Sequence, residues 1–215
     1  MSETKSLRAT LAIACVAAFF TSSVSNAEGT KTNQNTINEA NVQAVDADAL
    51  QAKLSDLKEQ ATLKIKLFST TLTQALMAAL KEGGVSSGIE VCHSEAPKIG
   101  ASLSVDGWII KRTSLKTRNT ENAPDEWEQS ILNQFQTEFT NGNNINTLVE
   151  SSYDNESFRF MKAIPTGPIC MGCHGSYVDQ KTLEKISALY PNDNAIDFSI
   201  GDLRGAFSAE KAGVE

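Results

Sequence analysis

Histidine is almost missing from this chain, with 2 among 215 residues, and cysteine is scarce, with 4. That leaves no second ligand pair to complete a four-ligand zinc site. Basic charge is in deficit. Lys and Arg total 19 against 26 Asp and Glu, for a formal net charge of -7. An acidic chain is a poor candidate for non-specific nucleic-acid binding, whereas a basic partner protein would suit it. Long apolar runs are absent too. Leu11 to Phe20 is the longest, and a membrane-spanning helix needs about 20 apolar residues. No internal repeat or low-complexity block interrupts the chain. With 40% hydrophobic and 21% charged residues, it has the material for one packed domain plus appendages.

The N-terminus has the pattern of a signal peptide over residues 1–27. Lys5 and Arg8 precede the apolar stretch, and Ser25-Asn26-Ala27 fits a small-x-small cleavage site. Cys15 lies inside the apolar stretch, which speaks against a lipid anchor. The expectation is an exported, soluble, periplasmic protein. Residues 28–45 are rich in Asn, Thr, Gln and Glu and read as a flexible leader. Loss of the signal removes Cys15 and leaves Cys92, Cys170 and Cys173. An odd thiol in an oxidising compartment needs an occupation.

From Asp46 to Glu82 apolar or small residues recur at steps of three and four, from Leu50 through Leu57, Ile65 and Leu72 to Ala79. This predicts one amphipathic helix, roughly 50 Å long, ended by Gly83-Gly84. Its length invites either a homodimer through that helix or a frayed extension. A shorter helix capped by Ser86 or Ser87 follows. It carries Ile89, Cys92, Ala96 and Ile99 on one face and is kinked or ended by Pro97. Gly107 to Leu115 is β-branched and aromatic and predicts a strand. Lys111, Arg112, Lys116 and Arg118 cluster at its far end. Trp127, Ile131, Phe135 and Phe139 at strict fours predict a third helix, with Asn122 as a possible cap. Two strand-like segments, Thr147 to Tyr153 and Ser157 to Ile164, flank Asp154-Asn155-Glu156 as a hairpin. A short helix over 180–189 and a last strand over Phe198 to Ser208, with a bulge or close backbone approach at its glycines, complete an α+β domain with an antiparallel sheet.

Cys170-Met171-Gly172-Cys173-His174 reads C-x-x-C-H, the arrangement that attaches a c-type haem. Two thiols can add to the two porphyrin vinyl groups, and the histidine can ligate the iron axially. The competing readings are a thiol-disulfide pair and half of a zinc site. For the iron's other side the chain offers Cys92, Met161, Met77 and His93, or an open position. The basic group near Arg112 to Arg118, and Arg204, could neutralise haem propionates or could be solvated charge.

Several stretches agree, in order, with one known family. They are Val91-Cys92 with Ala96-Pro97-Lys98-Ile99, Arg112-Thr113-Ser114-Leu115-Lys116 with Arg118-Asn119, Asn122, and Pro124 through Trp127-Glu128. The C-x-x-C-H motif with Gly175, Tyr190-Pro191, and Gly201 through Ser208 complete the set. Together they resemble the single-haem, PAS-like c-type domain family, found as stand-alone exported proteins and as the input module of some histidine kinases. The resemblance spans roughly residues 50 to 210. It implies a PAS-like antiparallel sheet with a long N-terminal helix and covering helices over residues 46–210, followed by a short tail, 211–215. It further implies one covalent haem c, held by Cys170 and Cys173, with His174 and Cys92 as axial ligands. His93, directly after Cys92, is a departure from the family pattern. No kinase domain follows Ser208, so the stand-alone form is expected. With both axial positions filled, turnover is not the obvious use. The expected function is redox or ligand sensing, with a redox or signalling partner protein. A small electron carrier is the alternative, and a thiol-disulfide oxidoreductase is third.

Overall fold

The structure is a computed structural model that describes residues 34–154 and 156–214, with side chains from 46 onward. The expected signal peptide, 1–27, lies outside the described residues. The chain falls into two units, 1–43 and 44–215. The described part of the first, 34–43, is helical; all that follows concerns the second.

Helix α1, Gln34–Glu90, starts ahead of the expected Asp46 and passes the expected stop. Gly84 does break the helical geometry, at φ 66° and ψ -160°, a conformation that glycine reaches without strain. The chain resumes helix at once, so the break is a kink and not an end. The apolar stripe is real: Leu57, Ala61, Ile65, Phe68 and Leu72 are buried.

After α1 comes a single π-turn, Val91–Glu95, then α2, Ala96–Leu103. Pro97 sits in the first turn of α2, where its missing N–H is harmless. Proline inside an α-helix would also clash with the carbonyl four residues back. The π-turn relieves this: the Ala96 N–H reaches back five residues to Val91 O. The expected break therefore falls ahead of Pro97, at the π-turn, and Pro97 itself opens α2. The extra residue shifts the helical phase. Ile89 and Ala96, expected on one face with Cys92, enter different apolar clusters, and Cys92 is left half-buried between them.

Four strands form one antiparallel sheet in the order β1-β4-β3-β2: β1 Trp108–Thr113, β2 Val149–Tyr153, β3 Ser157–Pro165 and β4 Leu203–Ala212. Strand alternation sends Trp108, Ile110, Phe158, Phe160, Phe207 and Ala209 toward α1 and α2. Met161, Ala163 and Ala206 face α3, Glu126–Thr140, with Ile131, Leu132 and Phe135. The sheet is thus covered on both faces, an α+β arrangement in keeping with a PAS-like fold. The cap of α3 is Asp125, not Asn122. Asp125 accepts from the Glu128 N–H while the Glu128 carboxylate accepts from the Asp125 N–H, a reciprocal capping box. Asn122 instead ends a 3-10 turn and spends its carbonyl on Thr113 and Ser114.

Strand β4 begins later and ends later than the expected Phe198 to Ser208. Its pairing with β3 slips once: Ile164 faces Gly205 and Pro165 faces Leu203, leaving Arg204 as the extra residue of a bulge. The slip inverts the alternation. Leu203 joins Ala206 against α3, and Arg204 turns to the opposite face with Gly205 and Phe207. Gly205 has φ 152°, and a Cβ there would lie 2.3 Å from Thr113 O. Only glycine lets β1 and β4 approach at this point.

Candidate functional site

The principal cleft lies between the α1–π-turn segment and the end of the sheet. Leu72, Leu76 and Leu80, spaced at fours on α1, form one wall with Ile89 and Cys92. The sheet contributes Arg112, Ile164, Arg204 and Phe207. The loop after β1 supplies Arg118, and the motif supplies Cys170, Cys173 and His174. The empty space, open mouth included, is about 1350 Å³. All four predicted site residues, Cys92, Cys170, Cys173 and His174, line this one cleft. The remaining sulfur and imidazole candidates do not. Met161 is fully buried against α3, Met77 is 56% exposed on α1, and His93 is exposed with its ring edge on Tyr190.

Strand β3 ends at Pro165. A 3-10 turn, Pro168–Cys170, leads into a single helical turn, α4, Met171–His174. The Gly167 N–H contacts Cys170 Sγ at 3.4 Å. Helix α5, Gln180–Leu189, then ends at Tyr190-Pro191, and an extended strap from Asp193 to Phe198 folds back along the motif. The Phe198 N–H donates to His174 O, and the Asn194 N–H to Thr117 O. His174 Nδ1 lies 2.7 Å from Ala195 O. A carbonyl can only accept, so Nδ1 carries the proton and Nε2 keeps its lone pair. Burial, then the neighbouring Arg204 and Arg118 cations, hold the imidazole neutral, its pKa pushed down to about 2. Phe198 packs edge-on against the same ring, with centroids 6.2 Å apart.

Arg118 anchors this strap from within. Its guanidinium pairs with Asp193, donating from Nε at 3.2 Å and from Nη2 at 3.1 Å. Nη2 also donates to Cys173 O at 2.6 Å and to Ala195 O at 3.2 Å. One side chain thereby ties the motif to the carbonyl that orients its histidine. The other basic residues separate. Lys111 crosses to the α3 face and pairs with buried Glu128 at 3.0 Å. Lys116 bonds Ile196 O and sits over Phe198. Only Arg112, Arg118 and Arg204 reach the cleft. Burial pushes the Cys173 thiol up and, with help from the Cys92 charge, lifts Tyr190 to about 12. Among the described residues, no three His, Cys, Asp or Glu side chains converge as a compact metal site. The motif residues and Cys92 thus share a cleft without meeting at one point, which is unlike a zinc centre.

Sequence reasoning missed the strap. Asp193, Ala195 and Phe198 follow a helix-stopping proline with no periodicity to mark them. The one usable signal was the apolar pair Ala195-Ile196 between Asn194 and Asp197, of which Ala195 is fully buried.

Comparison with known proteins agrees with this architecture. A solved structure, described as the crystal structure of the cyanobacterial heme-protein Tll0287, matches with TM-score 0.50 and 23% identity. The match covers 78% of this chain and 97% of that one, a likeness of fold. A search of curated proteins returns no match. The Tll0287-like family model matches residues 26–210, which takes in every stretch that carried the family resemblance. The chain therefore belongs to the Tll0287-like family.

Proposed function

We propose that this is an exported, periplasmic mono-haem c-type protein. Cys170 and Cys173 hold one haem covalently, His174 and Cys92 ligate its iron, and the protein serves redox or ligand sensing rather than catalysis. One observation carries the reading: two motif thiols, a neutral imidazole with a free Nε2 and a third thiol all line a single cleft. The residues fit the group. Cys170 and Cys173 can each add S–H across a vinyl C=C, sulfur to one carbon and hydrogen to the other, with nothing lost. His174 is held in the tautomer a metal ligand needs, its Nδ1–H fixed by a backbone carbonyl. An ionised Cys92 would be drawn to Arg112, which senses its charge. Met77, Met161 and His93 lie outside the cleft, which favours Cys92 among the available donors. A free C-x-x-C redox pair fits less well, because it leaves the oriented imidazole of His174 without a use.

The bound haem would supply one-electron chemistry and an exchangeable axial bond. Thiolate ligation loosens on reduction or protonation, which suits a switch. Electron transfer is the second reading. Gly172 and Ile169 are exposed, so one side of the motif reaches the surface.

Expression with the haem-attachment machinery tests the proposal. A Soret band that survives acid-organic extraction is expected, and its absence would end the c-haem reading. The Cys92→Ala variant should lose the low-spin thiolate features of the ferric spectrum. An unchanged spectrum would exclude Cys92 as ligand.

A further inference from the structure

The chain holds 26 acidic residues and a net charge of -7, yet no Asp or Glu lines its principal cleft, while three arginines do. These three are not equivalent. Arg118 is satisfied internally by Asp193 and two carbonyls. Arg204 finds only neutral acceptors, Ser114 Oγ and Lys116 O, both at 3.3 Å. Arg112 lies over the Phe68 ring, 5.8 Å from its centroid, and makes no ion pair among the described residues. Desolvation lowers the pKa of both. Arg204 falls to about 10, with Arg112 and then Arg118 adding to the effect of burial. Two partly desolvated cations side by side are unfavourable unless an anion joins them. The β4 bulge exists at the one residue whose side chain it redirects into this wall, Arg204.

We infer that Arg112 and Arg204 form a dianion seat that receives the two carboxylates of the bound tetrapyrrole, while Arg118 is a positioning residue for His174. The inference rests on the haem reading above. Each guanidinium presents a planar fork that matches a carboxylate, and two forks meet two propionates. Lys111 and Lys116, the other basic residues of the cluster, are engaged elsewhere.

The test compares the holoprotein with Arg112→Gln, Arg204→Gln, Arg112→Lys and Arg204→Lys by haem content, resonance Raman spectroscopy and potentiometric titration. Covalent haem should be retained throughout. The propionate-bending bands should move in each Gln variant and return partway in its Lys counterpart. Loss of a positive charge favours ferric iron, so each Gln variant should shift the redox equilibrium toward the oxidised form about tenfold, about 59 mV for one electron. Should a Gln variant lose haem, its Lys counterpart, which keeps the charge without the fork, carries the same band comparison. Full haem with unmoved propionate bands overturns the seat and leaves the haem reading standing. Wild-type protein without covalent haem overturns the haem reading and the seat together.

Discussion

At the scale of single residues, Arg118 has the largest structural consequence. Its side chain is 9% exposed and that of Asp193 is 10%. Removing one partner of such a pair strands a buried charge, which costs about 3–5 kcal/mol. Arg118→Ala should therefore lower the unfolding free energy obtained from urea titration by that much and free the strap. Arg118→Lys keeps the charge but loses the second, Nε contact to Asp193 and the planar fork, and should recover only part of the loss. Equal stability of wild type and Arg118→Ala would refute this account. The motif cysteines, the histidine and Cys92 were singled out by residue type and family resemblance, and the fold brings all four to one cleft. The division of labour among the arginines was not legible. Arg112, Arg118 and Arg204 look alike in sequence, and only the partners brought by folding separate them.

At the scale of elements, periodicity revealed α1, α3, α5 and the β2–β3 hairpin, because each has one buried stripe or face. Two irregularities escaped it. The π-turn at Val91–Glu95 resolves a clash that Pro97 creates, but an alternative resolution, a simple break, reads identically in sequence. The glycines of the last strand, not its periodicity, suggest a bulge or a close approach; the place of the bulge at Arg204 depends on which strand lies alongside, and β3 is its partner only in the folded sheet. Capping follows a similar logic. Both Asn122 and Asp125 are good cap residues, and the box with Glu128 decides for Asp125. Burial raises the Asp125 pKa, but hydrogen bonds from the Arg159 side chain and the Glu128 N–H, with the Arg159 and Lys111 charges, leave it below its ordinary value. A carboxylate depressed in the fold stabilises above its unfolded pKa, about 3.9. That stabilisation is lost as pH falls through the lower folded value. Thermal unfolding followed from pH 7 to pH 2 should show wild-type stability declining in this acid window. Asp125→Asn should be less stable at pH 7 and should converge on wild type at the acid end. Parallel curves would contradict the assignment.

At the scale of the whole molecule, the antiparallel sheet and its two-sided cover follow from alternating strands and amphipathic helices. Strand order does not, since nothing in β4's own residues says that it lies between β1 and β3. That placement has a kinetic meaning. The hairpin β2–β3 is local, whereas β1 meets β4 across a long separation, Trp108 with Lys211 and Thr113 with Ala206. Closing so wide a loop is slow. In pulse-labelled refolding, amides shared by β2 and β3 should gain protection before those shared by β1 and β4. Simultaneous protection would argue for a single collapse. Because the interior strand follows β1, β2 and β3 in the chain, the sheet stays an open assembly until β4 docks. Through that interval the cleft lacks part of one wall, because Arg204, Gly205 and Phe207 all come from β4.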